Sequence, residues 1–433
     1  MAEQNSNWDK SLQHATVTDI GMRRANNQDS HSVVLASDEE ERSNRGHIFI
    51  VADGMGAHAA GELASKLAVD GVAHLYRKYE ELSPPEALEK AFVETNSEVY
   101  RRGQANSDFR NMGTTASMLV MLPQGALIGH IGDSRVYRVR GDKLEQVTRD
   151  HSLAWELRGQ LPEDAELANA IPKNVITRSL GPGSQIDTDI EGPLPIEVGD
   201  TFLLCSDGLT GRVKDEEIAA FLPNLPPDES AQLLVDLANL RGGPDNITVI
   251  VVRVVGDDLA TNGEATEPLK VGVRHAAAEW HPAVLVAVAA CLLVGLLLRV
   301  IGQPLVGLIA AFVGGVIGLV AFVQRSHARS KEVVLSETRQ LGDGPYTETP
   351  CPSPEEVSES LATIVAELRV APAATNLDPD WTEFDASRDR AADAQRSDIH
   401  GEAIRAYAKA VCLLMQHVRD AMNKDASDSS IEL

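Results

Sequence analysis

The chain contains 433 residues, of which 43% are apolar and 24% are charged. This composition supports two or three globular domains and excludes collagen-like, fully disordered and small disulfide-linked proteins. The net charge of −25 argues against a nucleic-acid-binding protein, because such proteins present a basic surface to the phosphates.

The first 256 residues contain segments with strand-like and helix-like patterns. Runs rich in β-branched residues and bounded by Gly, Asp or Pro predict strands at 46–51, 116–122, 126–132, 135–140, 201–205 and 247–255. Two amphipathic helices are predicted at 61–79 and 84–102, the second with Ser83 as its N-cap. Their predicted apolar faces are Leu67, Ala68, Gly71, Val72 and Leu75, and Leu88, Ala91, Phe92, Thr95 and Val99. Because the strands cluster with few helices between them, an α+β layered domain is favoured over a regular βαβ repeat. The acidic segment 37–45 is interpreted as a solvated hairpin loop.

Two uncharged apolar runs follow a flexible linker at 257–282. They span 283–298 and 305–323, close to the roughly 20 residues that a membrane helix needs. We expect a two-helix transmembrane hairpin at 283–323, and the alternative is a buried helical hairpin in a soluble domain. Basic residues flank both outer ends, which predicts a multi-pass protein of the cell membrane with the first domain and the tail in the cytoplasm.

The remaining residues, 324–433, form an acidic tail. Between 332 and 433 there are 9 Lys or Arg and 20 Asp or Glu residues. The first half is rich in Pro, Ser, Thr and acid, and we expect most of it to be disordered. The segment near 388–422 is predicted to be helical, with Ala403, Ile404, Tyr407, Ala410, Val411 and Leu414 on one face. We expect these helices to self-associate or to dock on a partner, and the alternative is a small cap with no specific role.

Four aspartates stand at the boundaries of predicted strands: Asp53, Asp133, Asp207 and Asp245. A carboxylate at a strand end is held rigidly, and a set of such carboxylates suits hard cations such as Mg²⁺ or Mn²⁺. Each motif alone is an ordinary turn. The joint pattern predicts a site for two divalent ions that could activate water for attack on phosphorus.

These motifs occur together with TDIGMRRANNQDS (18–30), VADGMGAHAAGELAS (51–65), GHIGDSR, LLCSDG and GGPDN, in that order. In this combination, the chain from about residue 12 to 256 resembles the metal-dependent protein phosphatases, the PPM or type-2C Ser/Thr phosphatases. The resemblance implies a four-layer αββα sandwich, with two central antiparallel β-sheets flanked by helices. It also implies a catalytic domain at 1–256.

The resemblance implies a role for each metal-site residue. Asp53 would bridge two Mn²⁺ or Mg²⁺ ions, and the backbone carbonyl of Gly54 would contribute to the first ion. Asp207 and Asp245 would bind the second ion. Asp133 matches the acidic residue of a third, weaker site in bacterial members, where Asp207 faces it.

The resemblance also implies that Arg24 binds the substrate phosphate, while Asp19 and Gln28 support the site. Gln28 stands where the family often has Glu, and we expect tuning rather than loss of activity. Met55 replaces a histidine proposed as general acid in animal-type members, so water or another group would protonate the leaving alkoxide. For His58 a structural role is preferred over that of the acid. Residues 151–172 correspond to the mobile flap beside the site.

We therefore predict a membrane-tethered protein serine/threonine phosphatase. A metal-bridged hydroxide would hydrolyse phosphoserine and phosphothreonine on proteins phosphorylated by a Ser/Thr kinase. One alternative is a phosphatase of the same fold that acts on phosphorylated anti-sigma-factor antagonists. Another is a membrane-anchored phosphoprotein-binding or sensor module with a weak or inactive site, against which the intact Asp53, Asp207 and Asp245 argue.

Overall fold

The computed structural model describes residues 8, 10–56, 59–158, 175–261, 341–370 and 381–429, with isolated positions between 290 and 308. The chain divides into two compact units. The first contains Met1–Leu269 and Gln340–Leu433, and the second contains Lys270–Arg339. Most of the second unit lies outside the described residues, so the elements below belong to the first.

The strands of the described residues form two antiparallel sheets. In chain order they are β1 (Leu12–Asp19), β2 (Asp29–Val34), β3 (His47–Met55), β4 (Gly113–Thr114), β5 (Ala116–Leu122), β6 (Gly125–Ile131), β7 (Arg135–Arg140), β8 (Lys143–Gln146), β9 (Asp189–Leu194), β10 (Thr201–Cys205), β11 (Ile247–Val254) and β12 (Thr347–Pro350). The first sheet has the order β1-β11-β10-β7-β8-β12. The second has the order β2-β3-β5-β6-β9, with β4 paired to β3.

Helices flank both sheets. They are α1 (Glu39–Arg45), α2 (Ala60–Lys78), α3 (Pro84–Ala105), α4 (Leu153–Glu156), α5 (Asp207–Thr210), α6 (Asp215–Phe221), α7 (Pro227–Leu240), α8 (Pro354–Val370), α9 (Trp381–Arg396) and α10 (His400–Ser429). Short 3-10 helices cover Ser107–Phe109 and Asp257–Leu259. Segment 37–45, interpreted above as a loop, instead contains α1, which begins after the capping carboxylate of Asp38.

The side chains of β3 explain how the layers stack. Ile48 and Ile50 are buried against α2 and α3, whereas Phe49 and Val51 are buried against the first sheet. Successive side chains of a strand point to opposite faces, so a strand buried on both faces reads as a continuous apolar run. The predicted arrangement of two antiparallel sheets between helical layers is confirmed.

Both predicted amphipathic helices are present. In α3 all five residues of the predicted apolar face are buried, and the Ser83 N–H donates to Glu86 Oε2 at 3.1 Å at its start. In α2 the buried stripe is rotated from the predicted one. Ala64, Val69 and Tyr76 are buried, whereas Leu67 and Leu75 remain partly exposed.

Among the described residues, none of the helices has both the length and the apolar character needed to cross a bilayer. The predicted transmembrane hairpin at 283–323 falls mostly outside those residues. The transmembrane hairpin therefore stays a prediction.

The tail is folded on the first domain over its described residues. Strand β12 pairs with β8 and extends the first sheet, and α8, α9 and α10 share a buried apolar cluster with α7 and with β10 and β11. All six residues of the predicted apolar face of α10 are buried. The expectation of disorder is wrong for 341–370, because β12 and α8 obtain their partners from the first domain. Residues 371–380 lie outside the described part of the chain.

Both ends of the segment between the first domain and the tail are anchored near β9. The Thr261 N–H donates to the Ile196 carbonyl at 2.8 Å, and the Ile196 N–H donates to Thr261 Oγ1 at 2.9 Å. Leu341 and Gly192 exchange two backbone hydrogen bonds of 2.7 and 2.9 Å. Thr261 and Leu341 are therefore held at points only four residues apart along the chain, at Ile196 and Gly192.

Candidate metal centre and phosphate site

The predicted aspartates stand at one end of both sheets. Asp53 lies near the end of β3 and pairs directly with Asp29, the first residue of β2. Asp207 begins α5 immediately after β10, and Asp245 precedes β11, the neighbour of β10. Asp133 lies in the turn between β6 and β7. The strand pairing therefore gathers carboxylates that are far apart in sequence.

The crowding of these carboxylates is visible in their pKa values. Burial, the Asp29 and Asp207 charges and a hydrogen bond to Asp207 raise the pKa of Asp53 well above its ordinary value. Burial followed by the charge of Asp207 raises the pKa of Asp133 to about 7. Burial and the nearby Asp245 also raise the pKa of Asp207, although its hydrogen bond with Asp53 acts in the opposite direction. A cation at this position would relieve the repulsion.

Three buried carboxylate oxygens of this cluster have no hydrogen-bond partner: Asp29 Oδ1, Asp133 Oδ1 and Asp207 Oδ1. An unpaired buried polar atom is costly and calls for a partner such as an ion or water. Across the described part of the chain, no three His, Cys, Asp or Glu side chains are arranged as a ready cage for a single ion. Magnesium-type sites usually rest on one or two carboxylates and keep several waters. The residues therefore fit hydrated Mg²⁺ or Mn²⁺ rather than a fully enclosed ion.

Asp53 is held by its backbone. Its N–H donates to Thr115 Oγ1 at 2.9 Å, and its carbonyl accepts from Thr114 Oγ1 at 2.9 Å and from the Thr115 N–H at 2.9 Å. The following Gly54 has no space for a side chain, because a Cβ there would lie 2.1 Å from the Gly61 carbonyl oxygen. These contacts fix the position of the Asp53 carboxylate on β3.

Arg24 lies at the solvent-facing edge of the cluster. Its Nη2 is 2.7 Å from Asp245 Oδ2, with side chains 46% and 31% exposed, and its Nε donates to the Pro244 carbonyl at 3.3 Å. The structure therefore brings Arg24 and Asp245 together. A guanidinium in this position can still present N–H groups to an incoming phosphate.

The turn that carries Arg24 packs on the loop that carries Asp245. The Met22 N–H donates to the Gly243 carbonyl at 2.8 Å. Gly21 adopts φ +80°, and a Cβ there would lie 2.1 Å from the Asp245 carbonyl oxygen. Only glycine allows this close approach.

Asp19 and Gln28, the two residues predicted to support the site, both form hydrogen bonds within or next to the first motif. Asp19 Oδ1 accepts from the Gly21 N–H at 2.8 Å. The Gln28 N–H donates to Asn246 Oδ1 at 2.8 Å, and Asn246 Nδ2 donates to the Ile20 carbonyl at 2.9 Å. Asn246, which the sequence analysis did not single out, thus joins both ends of the motif to the Asp245 loop.

Asp29 is the acidic residue that sequence reasoning missed. Burial raises its pKa to about 7, with contributions from Asp207 and Asp245 and opposing hydrogen bonds from Ser206 and Thr248. Ser206 Oγ donates to Asp29 Oδ2 at 2.7 Å. Its signal was its place at the start of strand β2, within the motif at 18–30.

Some predicted residues cannot be placed. His58 lies outside the described residues, as does 159–174, which contains most of the predicted flap at 151–172. Met55 is the last residue of β3.

Comparison with known proteins shows which family this chain resembles in sequence. The sequence profile of the protein phosphatase 2C family matches residues 22–233. The chain is 39% identical to the protein phosphatase PhpP of Streptococcus pneumoniae, over 57% of this chain and 99% of that protein. It is 35% identical to the serine/threonine phosphatase stp of Listeria innocua, over 54% of this chain and 93% of that protein. A crystal structure of the catalytic domain of the phosphatase PstP with two manganese ions is 34% identical, with a TM-score of 0.47, covering 57% of this chain and 99% of that one.

Proposed function

Because this chain belongs to the protein phosphatase 2C family and is a serine/threonine protein phosphatase of that type, we propose that its carboxylate cluster is the hydrolytic centre for phosphoserine and phosphothreonine. The observation that carries the proposal is the set of three unpartnered, buried carboxylate oxygens beside an exposed arginine. Such a set is costly without cations and becomes favourable with them.

Asp53, Asp207, Asp245 and Asp133 would hold the ions, with the carbonyl of Gly54 as a further ligand by family resemblance. Enzymes of the protein phosphatase 2C type use Mn²⁺ or Mg²⁺. Such ions, when bound, lower the pKa of water and neutralise phosphate charge.

The protein groups have separate tasks. Arg24 would exchange its contact with Asp245 for the phosphate oxygens of the substrate, since a guanidinium fork matches two of them at once. Thr115 and Thr114 keep Asp53 in place by the hydrogen bonds described above. Met55 has no acidic proton, so water or another group would supply the proton to the departing serine or threonine oxygen.

We further propose that residues 283–323 tether the phosphatase to the cytoplasmic face of the membrane. The support is the pair of uncharged runs of 16 and 19 residues with basic flanks. The substrates would then be proteins phosphorylated by a Ser/Thr kinase at the same membrane, whose action this enzyme reverses.

The test of the hydrolytic centre uses the full chain in detergent or vesicles. Hydrolysis of p-nitrophenyl phosphate and of a phosphothreonine peptide is followed with Mn²⁺, with EDTA, and for Asp207→Asn. The matched control is Asp70→Asn, an exposed carboxylate that pairs with Lys66 on the surface of α2. We expect activity that requires Mn²⁺, is lost in Asp207→Asn and is unchanged in Asp70→Asn.

Two outcomes would contradict the proposal. Activity that persists in EDTA would remove the role of the ions. Inactivity of folded, Mn²⁺-loaded wild-type protein, with retained binding of the phosphopeptide, would favour the alternative of a phosphoprotein-binding module.

A further inference from the structure

One contact joins the far end of the chain to the first motif of the active site. Arg419 belongs to α10, the last helix, and Asp19 ends β1. Arg419 Nη2 donates to Asp19 Oδ2 at 3.1 Å and to Asp236 Oδ1 of α7 at 2.5 Å. The Arg419 guanidinium therefore links α10 to two carboxylates of the catalytic domain.

The two carboxylates differ in their surroundings. Asp236 is 1% exposed, and its other carboxylate oxygen accepts from Gln232 Nε2 at 2.9 Å. A buried carboxylate of this kind requires compensation, so this half of the contact docks α10 on α7. Asp19 is 19% exposed, and its other oxygen already accepts the Gly21 N–H.

Asp19 also contacts the turn formed by residues 20–24. One carboxylate oxygen of Asp19 accepts a hydrogen bond from the Gly21 N–H within the turn, and the other accepts one from Arg419 outside it. The same turn is packed on the Asp245 loop through Met22 and Gly243 and ends at Arg24. A change in the orientation of the Asp19 carboxylate therefore passes to Arg24 and to the loop of Asp245.

We propose that Arg419 is a positioning residue of the phosphatase site. Anchored on Asp236, it fixes the Asp19 carboxylate and through it the turn that presents Arg24 to the substrate phosphate. The folded tail then sets the efficiency of the site instead of serving as a separate appendage. This inference rests on the proposed hydrolytic centre and adds a residue that no motif of the first 256 residues contains.

The alternative role for Arg419 is purely structural, as the counter-charge of Asp236. The two roles predict different measurements. A docking role changes the melting temperature alone, whereas a positioning role changes the KM for a phosphothreonine peptide and the Mn²⁺ concentration for half-maximal activity in protein that is fully folded.

The experiment compares Arg419→Ala with two controls in the full chain. Arg405→Ala removes another α10 arginine, which is 3.5 Å from Glu229 of α7 and does not contact Asp19. Asp236→Asn weakens docking while Arg419 can still reach Asp19. For Arg419→Ala we expect KM to rise about fivefold, the factor that corresponds to about 1 kcal/mol for one net hydrogen bond, with kcat much less affected. We expect a wild-type KM for the Arg405→Ala control, and a smaller rise in KM for Asp236→Asn, which weakens the anchor of Arg419 without removing its contact with Asp19.

A double-mutant cycle shows whether Arg419 acts through Asp19. If it does, Arg419→Ala has no further effect on KM in an Asp19→Asn background. If Arg419→Ala fails to fold, Arg419→Lys retains the charge beside Asp236 on a shorter side chain that reaches Asp19 less well, and its KM is expected to rise in the same direction.

The outcomes separate the two hypotheses. An inactive wild-type protein in Mn²⁺ refutes the proposed centre. An active wild type with an unchanged KM and Mn²⁺ requirement in folded Arg419→Ala or Arg419→Lys, or additive effects in the cycle, overturns the positioning role and leaves the centre intact.

Discussion

Neutralising Asp29 should stabilise the metal-free protein, and more so as the pH rises. Burial raises the folded-state pKa of Asp29 from 3.8 to about 7. A carboxyl group with a raised pKa contributes stability below its unfolded pKa and loses it as the pH rises toward the folded value. One pKa unit corresponds to about 1.4 kcal/mol. Between pH 5 and 7, the wild type should therefore lose about 2 kcal/mol of unfolding free energy through Asp29, and Asp29→Asn should not lose it.

The measurement is the difference in unfolding free energy between Asp29→Asn and wild type, from urea titrations in EDTA at pH 5, 6 and 7. The difference is needed because burial lowers the pKa of His47 to about 4 and of His130 to about 3. Those neutral histidines make the native state more stable as the pH rises to about 6.5, so they oppose the carboxylates in the wild-type profile. They are common to both proteins and cancel in the difference.

Asp70→Asn provides the control, because Asp70 is 57% exposed and lies outside the cluster. Its difference from wild type should be flat over the same pH range. Saturating Mn²⁺ should stabilise the wild type, and this gain should increase with pH as the carboxylates ionise. A difference for Asp29→Asn that does not change between pH 5 and 7 would refute the reasoning that the cluster is electrostatically strained without ions.

Three further outcomes are expected. Arg24→Lys should raise KM for a phosphothreonine peptide about tenfold, because an ammonium cannot form the two parallel bonds of a guanidinium; an unchanged KM would exclude Arg24 from phosphate binding. Leu361→Ala should lower the unfolding free energy by about 2–5 kcal/mol, since Leu361 of α8 is fully buried; a change near zero by urea titration would mean that the tail is not docked. Replacing 262–340 by a short Gly/Ser linker should give a soluble chain with the wild-type KM and melting temperature, and aggregation of that chain would show that the inserted residues are needed for folding.

The sequence predicted the central strands well because their signal is local. Runs such as 116–122 and 201–205 are buried on both faces, so their apolar character does not depend on knowing the partner strand. The polar strand β12 has no such signal. Its residues alternate between partly buried and exposed, and it becomes a strand only because the edge of β8 offers hydrogen bonds. Helix α8 was missed for another reason: Val357, Leu361 and Val365 recur at four-residue spacing, but the Pro-, Ser- and acid-rich composition around them indicated disorder.

The residues of the candidate site also divide into those with a local sequence signal and those that depend on distant contacts. Asp53, Asp207 and Asp245 could be found because each ends or begins an apolar run, and the family pattern fixed their roles. Asp29 was missed, since the strand that it begins is half polar. Arg419 could not be found from the sequence at all, because its contact with Asp19 joins residues 400 positions apart and depends on how α10 docks.

The hydrogen bonds of Thr261 and Leu341 near β9 determine where a mechanical force on residues 262–340 would act on the fold. Thr261 and Leu341 both bond to the chain between Gly192 and Ile196, so a force that pulls on 262–340 is divided between two attachments at nearly the same place. Such a force would act on Gly192 of β9, an edge strand of the second sheet, and on Ile196 just after it, and not on β3, which carries Asp53. A single proteolytic cut within 262–340 would also leave the tail in place, since β12 and the helices hold it without the covalent connection.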